Sequence, residues 1–347
     1  MDQDPIFFER NRVFRVYTGG KLFHDFFGDP AEDGFFPEEW VASRVRALNK
    51  ESRGEDEGLS RIRGSGQLFS ALLAEKREQL IGDRAGFEVL VKVLDSAIRL
   101  PVQTHPDKAF ARQHLGSEHG KAEMWIVLAT RPGASLYFGF KEGVRRQDLL
   151  GAIRASETDR SALPSLLNEL PAAAGDLYFI PARVAHAIGA GCLILEVQEP
   201  TDFTIQPEAW CGDYHLSEYE KYLGLEEDIA LQCFDFEDLV GERALAAGRK
   251  TPRVFVESGG GRGERLVIEE DTRDFSVNRY RLERGSLDVG GSPAVYVVTQ
   301  GEGRIGSGAS ASAVRKGDYF FLPACAPRLR LESSRAMEIV ECLPPGR

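Results

Sequence analysis

Short apolar runs rich in β-branched and aromatic residues recur along the chain. Residues 87–95, 124–128 and 177–180 follow this pattern, and residues 275–280 and 294–298 repeat it later. Runs of about four to eight such residues, bounded by glycine, proline or charged residues, are typical of strands buried inside a sheet. The hydrophobic pattern therefore predicts a mainly β protein.

One strand-and-turn segment occurs twice. Gly175-Asp-Leu-Tyr-Phe-Ile-Pro-Ala is echoed by Gly317-Asp-Tyr-Phe-Phe-Leu-Pro-Ala. Because the same strand and turn are used twice, we predict that the later part of the chain repeats the fold of the earlier part in weaker form. The last histidine of the chain is His215, so the later repeat contains no imidazole. We expect it to be structural or to form a dimer surface.

The segments between the predicted strands favour short helices. Four stretches have apolar residues at helical spacing or a helix-forming composition: residues 67–76, 107–115, 148–153 and 165–170. Residues 248–265 are rich in glycine, arginine and serine, and this composition predicts a loop or linker.

Four residues of the predicted strands have the chemistry of a metal site. Gln103 and His105 are two positions apart, so an extended chain directs both side chains to one face. Glu123 begins an apolar run, where a lone carboxylate would be costly without a partner. His186 lies after the strand that starts near residue 177, at the point where extended structure is predicted to resume. Two imidazoles with carboxylate and amide oxygens suit Zn²⁺ or a similar divalent ion.

These residues belong to three motifs that follow one another along the chain. The motifs are Gln103-Thr-His105-Pro-Asp107, Gly120-Lys121-Ala-Glu123-Met-Trp125, and Gly175-Asp through Pro181 to His186-Ala-Ile188. With these motifs in this order, the chain resembles the type I phosphomannose isomerase (mannose-6-phosphate isomerase) family of the cupin superfamily. The resemblance extends to Gly19-Gly-Lys-Leu22, Glu39-Trp40 and Glu196-Val-Gln198, so it covers most of the chain.

The resemblance implies a mainly β fold of two tandem cupin barrels, each a double-stranded β-helix (jelly roll), with helical insertions. We expect residues 1–84 to supply strands and a helix that pack on the barrels. Residues 85–247 would form the metal-binding barrel, with a helical insertion at about 146–170. Residues 248–347 would form the second barrel, which lacks metal ligands.

The resemblance also implies the site and the reaction. Gln103, His105, Glu123 and His186 match the family's metal ligands, which implies one zinc ion per chain. Lys121 and Glu196 match polar positions of the family's sugar pocket and are candidate catalytic residues. The implied reaction is metal-dependent conversion of mannose 6-phosphate to fructose 6-phosphate through a cis-enediol.

The chain departs from the family pattern at three positions. Gln206 stands where the family has a catalytic arginine, and Pro101 stands where it has a serine, although proline offers neither a hydroxyl nor an N–H to a phosphate. Arg183 occupies a position that is usually glycine. We expect Arg183 to project toward the metal and replace the missing cation.

These departures leave two alternatives open. One is a related isomerase that acts on a different or unphosphorylated sugar, and the other is a cupin that binds sugar without catalysis. Individual residues also have simpler interpretations: Lys121 neutralises Glu123 or faces solvent, and Glu196 pairs with an arginine. His114 and His119 are expected in solvent. Lys92, inside an apolar run, faces the pocket or has a buried partner.

Composition limits the partners of this chain. Its 347 residues are 42% hydrophobic and 28% charged, as in globular proteins, and the formal net charge of −11 argues against nucleic acid as a partner. The five cysteines show no Cys-x-x-Cys spacing, which favours a reducing compartment. No run has the length of a signal peptide core or a membrane span. We therefore expect a cytoplasmic monomer or homodimer whose partner is a sugar or sugar phosphate, with no membrane association.

Overall fold

The computed structural model describes residues 4–50, 54–306 and 311–346, and strands dominate these residues. The strands are β1 (Ile6–Phe7), β2 (Arg12–Val13), β3 (Glu38–Val41), β4 (Leu90–Ser96), β5 (Glu123–Thr130), β6 (Ser135–Phe140), β7 (Leu167–Pro171), β8 (Leu177–Ile180), β9 (His186–Ile188), β10 (Cys192–Gln198), β11 (Trp210–Cys211), β12 (Tyr214–His215), β13 (Arg253–Ser258), β14 (Gly261–Val267), β15 (Ser276–Leu282), β16 (Gly285–Val289), β17 (Ala294–Gln300), β18 (Glu302–Gly306), β19 (Ser312–Arg315), β20 (Tyr319–Leu322), β21 (Leu329–Ser333) and β22 (Met337–Leu343).

The helices are short and lie mostly outside the sheets. They are α1 (Phe23–Phe27), α2 (Phe69–Glu75), α3 (Arg77–Ile81), α4 (Lys108–Phe110), α5 (Arg146–Ala155), α6 (Glu218–Tyr222), α7 (Glu227–Ala230) and α8 (Gly241–Gly248), with a π-helical turn at Ala111–Leu115 and 3₁₀ turns at Pro164–Leu166 and Leu231–Cys233. Within the described ranges, none of these helices is long and apolar enough to cross a membrane.

Two barrels follow one another along the chain. The first joins a six-stranded sheet, in the order β2-β3-β4-β10-β5-β8, with a three-stranded sheet, β7-β6-β9. The second joins a seven-stranded sheet, β1-β20-β17-β22-β15-β14-β13, with a four-stranded sheet, β16-β21-β18-β19. The paired strands are antiparallel. The expected mainly β fold with two tandem barrels is confirmed.

The N-terminal segment contributes strands to both barrels. β1 pairs with β20 of the second barrel, whereas β3 pairs with β4 of the first. These residues therefore extend the sheets as well as packing on them. The domain boundaries at residues 84 and 247 stay a prediction.

The two large sheets pack against each other, and this packing explains why their strands are apolar on both faces. Val91 and Val93 of β4 join one continuous core with Val340 and Cys342 of β22. Leu94, on the opposite face of β4, joins the interior of the first barrel. Because side chains alternate along a strand, Lys92 also faces that interior.

The structure confirms three of the predicted helical segments. α2 lies within residues 67–76, α4 and the π-helical turn that follows it cover residues 108–115, and α5 contains residues 148–153. Phe69 and Leu73 of α2 and Leu149 of α5 are buried, as the apolar spacing of these two segments indicated.

Two local predictions are wrong. Residues 165–170 form little helix, because Leu167–Pro171 pairs with β6, and this pairing overrides a short apolar spacing that fits either structure. Residues 248–265 are not a linker, because β13 and β14 form a hairpin there. Gly259 and Gly260 form its two-residue turn, and both have positive φ, as a tight hairpin of this twist requires.

Candidate metal centre

Strand pairing brings charged side chains together inside the first barrel. β10 lies between β4 and β5, and its residue Glu196 is directly opposite Lys92 on one side and Trp125 on the other. Glu123, two positions before Trp125, faces the same interior because side chains alternate. All four side chains are buried.

Three predicted metal ligands converge at one end of this interior. The Nε2 atoms of His105 and His186 are 3.1 Å apart. Oε2 of Glu123 is 3.3 Å from Nε2 of His105, and its Oε1 is 3.5 Å from Nε2 of His186. Among the residues that the structure describes, this is the one cluster of three histidine, cysteine or acidic side chains arranged to hold a metal ion.

The backbone sets which imidazole nitrogen faces the cluster. Nδ1 of His105 is 2.9 Å from the carbonyl oxygen of Phe203, and Nδ1 of His186 is 2.8 Å from that of Val184. A carbonyl oxygen only accepts, so each Nδ1 carries the hydrogen and each Nε2 presents its lone pair. This is the tautomer that a metal ligand needs.

The protonation states suit a metal. Burial, assisted by the charge of Lys121, lowers the pKa of His105 to about 3, and burial also lowers the pKa of His186. Burial alone would raise the pKa of Glu123, but the positive charge of Lys121 and the contacts with both histidines hold it well below its usual range. The cluster therefore offers two neutral imidazoles and one carboxylate at neutral pH.

The geometry fits zinc or a similar ion. Ligand atoms about 2.0–2.2 Å from a tetrahedral Zn²⁺ are separated from one another by roughly 3.3 Å. The three separations of 3.1–3.5 Å match this value. Gln103 is the candidate for a fourth ligand, because its backbone exchanges two hydrogen bonds with His186 and its side chain lines the adjoining cavity.

A cavity of about 740 Å³ opens from this interior to the surface. Its inner part is lined by Gln103, Lys92, Lys121 and Glu196, and its outer part by Lys50 and a group of apolar side chains. The apolar group consists of Phe14, Phe35, Leu48, Tyr214 and Tyr219. The volume lies within the roughly 300–1,000 Å³ of small-molecule sites.

Lys121 links the cavity to the metal cluster. Its Nζ donates to Oε2 of Glu123 at 2.9 Å and lies 2.7 Å from Nε2 of His105. Its side chain is 5% exposed, so the solvent-facing interpretation is wrong. Lys121 neutralises Glu123 and also lines the cavity, and its catalytic role stays a prediction.

Glu196 is a buried carboxylate with a raised pKa. Burial and the charge of Glu123 raise its pKa to about 7, against the opposing effect of Lys92 and Lys121. Nε1 of Trp125 donates to its Oε2 at 3.1 Å, and Nζ of Lys92 lies 3.5 Å from its Oε1. A carboxylate with such a pKa can both accept and return a proton at physiological pH.

Three charged residues that the sequence interpretation missed complete the cavity wall. Arg15 donates to both carboxylate oxygens of Asp202 at 3.0 Å and to Oε1 of Glu38 at 2.9 Å. Lys92 lies 3.4 Å from Asp202 and 3.9 Å from Glu38. Glu38 stands beside the Glu39-Trp40 motif, and Asp202 follows Gln198 closely, so each could have been identified as a charged residue next to a motif. No sequence feature marked Arg15.

The structure does not bring Arg183 to the cavity. Arg183 has a positive φ of 74°, and its Nη2 donates to the carbonyl oxygen of Gln232 at 3.3 Å. Its side chain is 43% exposed and lies 3.9 Å from Asp107. Arg183 is not one of the described residues that line the cavity. The turn that contains Arg183 directs its side chain outward, away from the predicted role.

The remaining candidates lie as follows. Gln206 lines the cavity, and its amide donates to the carbonyl oxygen of Glu220 at 3.0 Å. Pro101 also lines the cavity. His114 and His119 are half-buried in the segment that precedes β5 and are not among the residues that line the described cavity.

Known proteins resemble the whole chain. No protein-family model matches it. Mannose-6-phosphate isomerase of Streptococcus mutans is 28% identical over 326 residues, which cover 92% of each chain. Mannose-6-phosphate isomerase ManA of Bacillus subtilis is 28% identical over 256 residues, 73% of this chain and 74% of its own.

Solved structures match equally completely. Mannose 6-phosphate isomerase from Bacillus subtilis superposes with a TM-score of 0.77 at 22% identity and covers 98% of this chain and 99% of its own. A mannose 6-phosphate isomerase bound with zinc and yttrium has a TM-score of 0.70 at 16% identity, covering 99% of this chain and 100% of that one. These matches confirm the cupin fold and the resemblance that the three motifs indicated.

Proposed function

We propose that this chain, which belongs with the mannose-6-phosphate isomerases by its motifs, its relatives and its fold, interconverts mannose 6-phosphate and fructose 6-phosphate. The observation that carries the proposal is one cavity lined by Lys121 and Glu196, in which Lys121 also contacts His105 and Glu123 of the candidate metal cluster. Every curated relative reported above has a mannose-6-phosphate isomerase name, which does not favour a different sugar or a non-catalytic role.

We assign Gln103, His105, Glu123 and His186 as the residues that would hold one zinc ion per chain. When bound, the ion would act as a Lewis acid on the carbonyl oxygen and the adjacent hydroxyl of the sugar. The donor set and the separations of its atoms support zinc.

Glu196 is the proposed proton carrier between C1 and C2. Its carboxylate takes the C2 proton of the open-chain aldose, and the electron pair of that C–H bond forms the C1–C2 double bond of a cis-enediol. Returning the proton to C1 gives the ketose. A pKa of about 7 suits both steps, because the base form and the acid form are both populated near neutral pH.

Lys121 is the proposed partner at the oxygens. Its ammonium group donates a proton to the C1 oxygen as the carbonyl is reduced to the enediol, and it takes back the proton of the C2 hydroxyl as the ketone forms. Contact with Glu123 holds Nζ beside the candidate metal cluster.

The test is formation of fructose 6-phosphate from mannose 6-phosphate by zinc-loaded protein, with free mannose as the comparison substrate. The matched control is the His105→Ala, His186→Ala double variant at equal concentration. Metal-dependent turnover of the phosphate ester, absent in the control, supports the proposal. Zinc binding without turnover of either sugar would contradict it. The cytoplasmic location and the monomeric or dimeric state stay predictions.

A further inference from the structure

Glu199 is a buried carboxylate next to the site that the proposed chemistry does not use. Its side chain is 3% exposed. Oε2 accepts a hydrogen bond from the backbone N–H of Gly120 at 3.0 Å, and Oε1 accepts one from the N–H of Ala122 at 3.2 Å. These two N–H groups flank Lys121, so one side chain holds the backbone on both sides of the active-site lysine.

The same backbone is held from the other side as well. The N–H of Lys121 donates to the carbonyl oxygen of Pro106 at 3.0 Å, directly after His105 in the chain. The hydroxyl of Thr201 donates to the carbonyl oxygen of Gly120 at 2.8 Å. Gly120 passes so close to this turn that a Cβ there would lie 2.5 Å from the Pro106 carbonyl oxygen. The segment 120–122 therefore has little freedom to shift while these contacts hold.

Glu199 also connects the site to the second barrel. Nζ of Lys108 lies 3.9 Å from Oε2 of Glu199 and forms an ion pair with Asp274. Asp274 stands just before β15, the strand that lies beside β22 in the second barrel. The chain of contacts runs from Asp274 through Lys108 and Glu199 to the backbone of Lys121.

We propose that Glu199 is a positioning residue: it fixes the backbone of Lys121 so that the ammonium group stays beside Glu123 and the reacting oxygens of the substrate. The second barrel, through Asp274 and Lys108, holds Glu199 in turn. The proposal rests on the proposed isomerase function. Catalytic geometry is needed to within about 0.5 Å, and a misplacement of about 1 Å can cost about a hundredfold in rate.

The decisive variant is Glu199→Gln. The amide has nearly the same shape, but its NH₂ group faces one of the two N–H donors, so only one of the two backbone contacts survives. We expect kcat to fall about tenfold to a hundredfold while KM and zinc content stay within about twofold. A purely structural role would lower the melting temperature and leave kcat per folded molecule unchanged, and that result overturns the proposal.

Two further variants test the link without disturbing the buried carboxylate. Asp274 is partly exposed, so the Asp274→Asn variant is expected to fold. This variant should reduce kcat about twofold to fivefold, and combining it with Glu199→Gln should cause no further loss of kcat. The matched control is Glu341→Gln, a buried carboxylate of the second barrel, which should leave kcat within about twofold. Equal losses in Glu199→Gln and Glu341→Gln would overturn the proposal.

Hydrogen exchange separates this proposal from the proposed function. In Glu199→Gln the amides of residues 120–122 should exchange at least about tenfold faster, whereas those of β22 should not change. Faster exchange in a protein whose parent does not convert mannose 6-phosphate would refute the isomerase assignment but keep the positioning contact. Unchanged exchange would overturn the inference about Glu199, whatever the activity.

Discussion

Each barrel has a buried glutamate at the same position of an equivalent strand, but the residues around the two glutamates differ. Glu196 is the fifth residue of the seven-residue strand β10, and Glu341 is the fifth residue of the seven-residue strand β22. In the first barrel the residues directly opposite are Lys92 and Trp125. In the second they are Asn278 and Tyr296.

The partners decide what each carboxylate can do. Glu341 accepts hydrogen bonds from Nδ2 of Asn278 at 2.7 Å, from the hydroxyl of Tyr280 at 3.0 Å and from the hydroxyl of Tyr296. Burial and the charge of Glu341 raise the pKa of both tyrosines, so they remain donors. Glu341 accepts hydrogen bonds from three neutral donors, whereas Glu196 lies beside Lys92, near the candidate metal cluster, and lines the cavity. The strand arrangement is common to both barrels, and the chemistry depends on a few side chains.

The largest expected effect concerns the metal. His186→Ala removes a proposed ligand, and no histidine of the second barrel can replace it. We expect loss of bound zinc and a fall in kcat of roughly a thousandfold or more, because a Lewis acid contributes several kcal/mol to such a barrier. Metal analysis of the purified protein should find one zinc ion per chain, and two ions per chain would break the contrast between the barrels.

The two carboxylates should separate activity from stability. Glu196→Gln is expected to lower kcat by about 10²- to 10⁴-fold because proton transfer is lost. Glu341→Gln should keep kcat but reduce the free energy of unfolding by about 1–3 kcal/mol, since the amide mismatches one of its donors. Steady-state kinetics and urea unfolding of both variants measure the two effects. A kinetic defect in Glu341→Gln alone would reverse the assignment.

Lys92→Asn gives the first barrel the residue that stands opposite Glu341. Because Lys92 lowers the pKa of Glu196, removal of Lys92 should raise this pKa above its present value of about 7. The base form then appears only at higher pH, so the acid limb of kcat/KM should move to higher pH. The buried carboxylates left behind should also cost about 3–5 kcal/mol of stability. A pH profile that does not move would remove Glu196 as the titrating base.

The smallest expected effect is that of Arg183→Ala. Its guanidinium contacts the Gln232 carbonyl and lies outside the cavity wall, so kcat and KM should stay within about twofold. Arg15→Gln is the comparison, because Arg15 lines the cavity and holds Asp202. If Arg183→Ala instead abolished turnover, the turn would have to rearrange with substrate bound, and the cation expected at that position would be restored to the mechanism.

Short-range patterns predicted most of the fold and part of the site. The position of Glu123 at the start of an apolar run marked it as a candidate, and the ordered motifs and the resemblance pointed to His105, His186 and Glu196. Composition failed at residues 248–265, where two glycines form a hairpin turn, because glycine content is the same in a tight turn and a flexible linker. The helical spacing at residues 165–170 failed because pairing with β6 is a long-range contact.

By itself, the sequence determined the strand periodicity, the repeated turn, the motif order and the absence of histidine from the second barrel. These are local properties that follow from residue type and spacing. Only the tertiary structure decided that Arg15 joins Glu38 and Asp202 on the cavity wall, that Arg183 faces away, and that Asp274 reaches Lys108. Such contacts join residues far apart in the chain. Strand pairing within the first barrel brings the segments of Glu38 and Lys92 together, and packing of the two large sheets brings Asp274 to Lys108.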